Sequence, residues 1–172
     1  MRFLVAVVAV VVLLSVWTAA SAASVSVTQG RFVLSSPAFR AGKTIPRAYT
    51  CDGASRIVPL RWSGAPAAAR SFALLVDDPD APSGTFTHRL AWAIPGTSHA
   101  LAGVAPREGT TSAGRIGWVG PCPPSGTHRY VFRLYALGSP LRLARGADKA
   151  AFLAALRGKV LATATLVGRY GR

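Results

Sequence analysis

Acidic side chains are almost missing from this chain of 172 residues: six Asp and Glu stand against 20 Lys and Arg, for a formal net charge of +14. Charge as a whole is scarce, at 15% of residues, while 51% are hydrophobic, and that balance excludes a disordered chain. All but three of the basic residues are arginines, spread singly with no basic run, so the sequence lacks the cationic tail of a nucleic-acid binder. The dispersed arginines read either as a solvated surface of an Ala- and Arg-rich chain or as a surface for anionic partners, and nucleic acid is the less favoured of these. There is no internal repeat. There is no G-x-S-x-G elbow, which removes the nucleophile motif of the α/β-hydrolases. No cysteine follows the N-terminal apolar run, so lipoprotein attachment there is excluded.

What is present begins with that run. Arg2 is followed by apolar residues from Phe3 to Trp17 and then by Ala20-Ser21-Ala22, a small-x-small cleavage pattern. The run falls short of the roughly 20 apolar residues of a membrane span. Export to the periplasm or medium follows as the expectation, with a signal peptide over 1–23, cleavage after Ala22 or Ala23, and one domain over 24–172; an uncleaved anchor is the lesser alternative. Two cysteines, Cys51 and Cys122, allow one intramolecular disulfide in an exported protein, against the alternative of two buried thiols.

Short apolar stretches alternate with turn signals. "RFVLS" (31–35), "SFALLV" (71–76), "LAWAI" (90–94), "RYVFRLYAL" (129–137) and "VLATATLVGRY" (160–170) read as strands of a sandwich or barrel. One helix is predicted over about 148–157, with Asp148 as N-cap, Gly158 after its end, and Phe152, Leu153 and Leu156 on one face. "SGAPAAARS" (63–71) and "APREGTTSAGRIG" (105–117) read as surface loops.

Half of the acids fall in "DDPDAP". Asp77, Asp78 and Asp80 follow the strand ending at Val76, and a turn whose aspartates cap their own backbone is the plain reading. His88 precedes the next strand. "GPCPPSGTHRY" delivers His128 to a strand start, with Tyr130 two residues on and therefore on the same face. If these strands are neighbours, Asp78, His88, His128 and Tyr130 converge. A carboxylate on one imidazole nitrogen would fix the ring's tautomer and leave the other to donate, so the group could bind a small anion in a way that depends on histidine protonation.

These two motifs, in this order, resemble the phosphatidylethanolamine-binding protein family, also called the Raf kinase inhibitor-like family, in its bacterial and archaeal branch. "IPRAYTCDGA" (45–54), "PLRWSGAP" (59–66) and "LATATLVGRY" (161–170) extend the likeness over about Phe32 to Arg172. The resemblance implies a mainly β fold, an antiparallel β-sandwich with a C-terminal helix. It also implies an anion pocket for phosphate, carboxylate or a phospholipid headgroup. Carried over residue by residue, the pocket falls on Asp78, Asp80, His88, His128 and Tyr130, with Cys122, Pro123 and Pro124 as a rigid wall. Asp77 receives no task. The family pattern has Trp where Arg89 stands and Asn where Ala93 stands, and its Gly- and Asn-rich approach to the second motif is replaced by "TTSAGRIG"; strand alternation predicts that Arg89 points away from His88.

The sequence therefore favours a binding module without cofactor or metal. The resemblance adds modulation of another protein, a protease before a kinase for an exported chain. The alternatives carried are a hydrolase using the same Asp, His and Tyr cluster, a metal site of two histidines and a carboxylate, and a basic-surface binder of anionic envelope polymers. Membrane association and a homodimer stay open.

Overall fold

The computed structural model describes residues 30–172, so the segment read as an export signal lies outside the described residues. Its organising strand is β3, Ser71–Asp78, in which all eight residues are buried. It is the middle strand of a five-stranded antiparallel sheet, with β4 (Phe86–Pro95) and the short edge strand β5 (Arg107–Glu108) on one side and β6 (Thr127–Leu137) and β7 (Val160–Gly171) on the other. A second, two-stranded sheet of β1 (Val33–Ser35) and β2 (Arg61–Ser63) faces it.

Alternation along β3 feeds two cores. Phe72, Leu74 and Val76 pack with Leu34 and Trp62 between the sheets, whereas Ala73 and Leu75 pack beneath helix α1, Lys149–Leu156. A strand covered on both faces reads as a continuous apolar run, which is why "SFALLV" shows no alternation. The β6–β7 pair keeps its register from Thr127↔Gly171 to Ala136↔Ala162 and brings Tyr130, Phe132 and Leu134 into the inter-sheet core.

The helix starts where the Asp148 carboxylate accepts the Ala151 N–H at 2.8 Å. It buries Phe152 and Leu156, four residues apart, and Phe152 stacks near Trp92 and Tyr135 at 6.2 and 6.5 Å. Leu153, expected on the same face, is 41% exposed because one residue turns it about 100° away from Phe152. The segment 105–117 is only partly a surface loop: Arg107 and Glu108 pair with Trp92 and Ala91, and Thr111 is buried. A two-residue strand carries no period that a sequence pattern could reveal. Between the outer residues of "SGAPAAARS", which end β2 and begin β3, the chain does turn as a loop.

Strand β4 is bulged twice against β3. Phe72 pairs with Ile94 and Leu74 with Ala91, leaving an extra residue near Ala93, whose φ is 59°. This exposed, left-handed alanine sits far along the strand from the histidines, and Asn or Gly tolerates that conformation better. Relieving it should stabilise the fold. Ala93→Gly should gain about 1 kcal/mol and raise Tm by a few degrees in a calorimetric scan; an unchanged or lower Tm would show that the left-handed backbone is not costing stability.

Candidate functional site

The second bulge of β4 builds the site. Val76 pairs with Arg89 but Asp77 pairs with Thr87, so His88 is the extra residue. A bulge of this kind breaks the simple alternation of faces. Arg89 shares the side of its partner Val76 and Thr87 that of Asp77, to which its hydroxyl donates at 2.9 Å. His88, freed from pairing, packs edge-on against Tyr130 at 5.2 Å, on the inter-sheet side. Arg89 is thus not turned away from His88 as alternation predicts. It stays out of the histidine cavity because its guanidinium is drawn aside to Glu108, with Nε 3.3 Å from Oε2. Ala93 lines no part of that cavity either.

At the end of β3 the neighbouring aspartates point to opposite sides. Asp77 lies on the helix side and takes Lys149 Nζ at 2.9 Å as well as the Thr87 hydroxyl, which gives the residue without a predicted task the role of pinning α1 to the sheet. Asp78, 4% exposed, takes the other side. One of its oxygens accepts the Asp80 N–H at 2.9 Å, and the other holds His128 Nδ1 at 2.7 Å. Pro79 between them contributes no N–H that would compete. Asp80 grips Arg129 with both oxygens, 2.6 and 2.9 Å from Nη2 and Nε, and also accepts the Arg129 N–H. That fork ties the loop after β3 to β6 and holds the Asp80 carboxyl down to about 2.

Around these side chains lies a cavity of about 240 Å³. Asp78, His88 and His128 form one part of its wall, Cys122, Pro123 and Pro124 another, and Ala81, Pro82, Phe86, Val119 and Gly120 complete it. The volume is below the usual range for drug-sized ligands and suits a small one. Of the predicted residues, Asp80 braces the loop without lining the cavity, and Tyr130 lies beneath His88 with no exposure. The Tyr130 hydroxyl is buried with no partner in hydrogen-bond geometry among the described residues, and burial together with the Asp78 charge pushes its pKa up. Ala81, Pro82, Phe86, Val119 and Gly120 were missed. Phe86, at 4.8 Å from His88, could have been found from its i, i−2 spacing; the Val119 carbonyl that holds His88 Nδ1 at 2.7 Å leaves no signal in a sequence.

Hydrogen bonding corrects the predicted chemistry. Both rings turn Nδ1 toward an acceptor, Asp78 for His128 and the Val119 carbonyl for His88. The neutral tautomer so fixed carries its proton on Nδ1, and its Nε2 is then a lone pair and not a donor. Neither Nε2 has a partner among the described residues. Burial pulls the pKa of His88 below its ordinary value, opposed by the Val119 carbonyl and the Asp78 charge. Among the described residues no three His, Cys, Asp or Glu side chains are grouped as a metal requires.

The wall is held by a disulfide. Cys51 and Cys122 are bonded, with Cα atoms 5.3 Å apart and 71 residues of separation. Cys51 N–H also donates to the Pro121 carbonyl at 3.0 Å, so chain and bond fix the same strip. Replacing both cysteines by serine should cost about 4 kcal/mol on loop-entropy grounds. Denaturant unfolding of the oxidised and double-serine proteins measures it, and equal midpoints would mean that the bond contributes nothing.

Comparison with known proteins covers nearly all of the described chain. A family model described as phosphatidylethanolamine-binding protein matches residues 35–171. A UPF0098 protein of Methanothermobacter thermautotrophicus is 47% identical over 148 residues, covering 81% of this chain and 98% of the relative. A mycobacterial relative named as the lipoprotein LppC, from Mycobacterium tuberculosis, is 41% identical over 143 residues, with 80% and 71% covered. Among solved structures, a phosphatidylethanolamine-binding protein homologue from Chlamydia trachomatis superposes with a TM-score of 0.79 at 36% identity, covering 82% of this chain and 97% of its own. YbcL of Escherichia coli superposes with a TM-score of 0.77 at 26% identity, covering 83% and 99%.

Proposed function

The chain belongs to the phosphatidylethanolamine-binding protein family, and from that membership we propose that the cavity between Asp78, His88 and His128 binds a small phosphate-like anion, free or as the headgroup of a phospholipid. The observation that carries this is the pair of imidazoles, both lining one small cavity and both held at Nδ1, with Nε2 unused. In a chain of net charge +14, such a pair attracts an oxyanion as soon as a proton is available to bridge it.

Anion binding and proton uptake are then one event. With Nε2 deprotonated, an unprotonated oxyanion meets a lone pair and is repelled; with the ring protonated it meets a donor. A binding role is the reading preferred over catalysis: Ser125 and Thr127, the aliphatic hydroxyls nearest in sequence to His128, are not among the residues that line the cavity. Export belongs to the same reading, supported by the Cys51–Cys122 bond and by the lipoprotein name of the mycobacterial relative. Modulation of a protease is the partner role that family membership suggests for an exported member.

Sulfate is the probe of choice because it does not itself titrate near neutrality. Bound anion raises the imidazole pKa above its free value, so affinity is full below the free pKa and is lost as pH rises through the bound one. Calorimetry should find sulfate at least about tenfold tighter near pH 5 than near pH 8, with protons taken up on binding. His88→Gln and His128→Gln should each weaken it. Binding that ignores pH, or that survives both substitutions, would defeat the reading.

A further inference from the structure

The histidine cavity has a neighbour. A second cavity of about 500 Å³ shares Val119, Gly120 and Cys122 with it and adds Arg115, Trp118 and Ser55. Resting on the anion reading above, we propose that the ligand spans both cavities. The site takes a phosphomonoester whose substituent is flat and anionic, with phosphate at the histidines, the flat part along Trp118 and the second negative group at Arg115.

Three observations support this. First, the strip that carries Arg115 and Trp118 is prebuilt. The turn at 111–115 is closed by Thr111, whose N–H and hydroxyl donate to the Arg115 carbonyl at 2.8 and 2.9 Å. It is fastened to β4 by a reciprocal pair, Ser112 N–H to the Thr87 carbonyl at 3.0 Å and Thr87 N–H to the Ser112 hydroxyl at 2.8 Å. The Val119 N–H then donates to the His88 carbonyl at 3.1 Å, so the strip bearing Arg115 and Trp118 is set against the histidine itself. Ordering this strip therefore costs the complex little entropy. Second, Trp118 links the two spaces: its ring lies 6.3 Å from that of His88 and it lines the second cavity. Third, the charge at the far end is uncompensated. Arg115 is exposed and has no ion pair among the described residues.

The shortage of acids decides the sign of the substituent. Asp77, Asp78, Asp80 and Glu108 are held by Lys149, His128, Arg129 and Arg89. Asp148 caps the helix, and Asp52, although next to Cys51, is occupied by Arg172 and the Tyr170 hydroxyl, with its carboxyl lowered to about 2. No carboxylate is left to receive an ammonium group beside a bound phosphate. A cationic substituent such as ethanolamine gains nothing here and meets Arg115, while an anionic one is matched.

The test is a series of probes on the oxidised protein, measured by calorimetry below neutral pH: inorganic phosphate, phosphoethanolamine, phenyl phosphate and 4-carboxyphenyl phosphate. Phenyl phosphate should bind about fivefold tighter than phosphate, from ring stacking. The carboxylate should add a few-fold more, an increment that salt weakens. Phosphoethanolamine should bind no better than phosphate. Affinity ratios taken within each variant cancel any general loosening: Trp118→Ala should bring phenyl phosphate to the level of phosphate, and Arg115→Gln should erase only the gap between the two aryl phosphates. Phosphate binding with no aryl gain, or with phosphoethanolamine the tightest, overturns this proposal and leaves the anion site standing. Failure of all four probes to bind overturns the anion site and the proposal with it.

Discussion

Two adjacent carboxylates at the end of the central strand set the terms for this structure. Asp77 and Asp78 are both buried, and consecutive strand residues face opposite sides. A buried ionised carboxylate costs several kcal/mol unless partners surround it, so each side of the sheet must bring such partners to this point. On one side Lys149 arrives from the helix and Thr87 from β4; on the other His128 arrives from β6. The helix position and the start of the site are both answers to the same problem. Asp80, two residues on, repeats it at the surface with Arg129.

The site then depends on a defect in pairing. Without the bulge, β4 would place His88 and Asp77 on one face and leave the inter-sheet side to Arg89 alone. With it, His88 reaches Tyr130 and the Val119 carbonyl. A ring fixed by that carbonyl and a ring fixed by Asp78, each through Nδ1, line one small cavity. The disulfide at Cys122 and the prolines Pro123 and Pro124 stiffen the opposite wall. Local irregularity and rigid surroundings together make a small pocket lined by both histidines.

Much of the fold was legible because the strands obey burial rules that a sequence records. The buried run at 71–76, the aromatic strand from 129 and the alternating strand from 160 all fall where their patterns put them, as does the helix after Asp148. Leu153, the strand pair at Arg107–Glu108 and the bulge at His88 were not legible. A two-residue strand has no period, and a bulge is chosen by register with a distant strand. For the site, motif spacing named Asp78, His88 and His128. It could not tell that Tyr130 lies beneath the cavity, nor that Phe86 and Val119 belong to its wall.

The sequence by itself determined the alternation that builds the two cores and the clustering of acids at one strand end, since both are properties of local order and count; that Cys51 and Cys122 are bridged was decided by the fold, which brings their Cα atoms to 5.3 Å. Only the tertiary structure decided which acceptor each histidine meets, and therefore that both rings commit Nδ1 and leave Nε2 without a partner among the described residues. That outcome depends on a backbone carbonyl and on strand register. Neither is written in side-chain identity, because every residue has the same carbonyl and the fold alone selects the one that meets the ring.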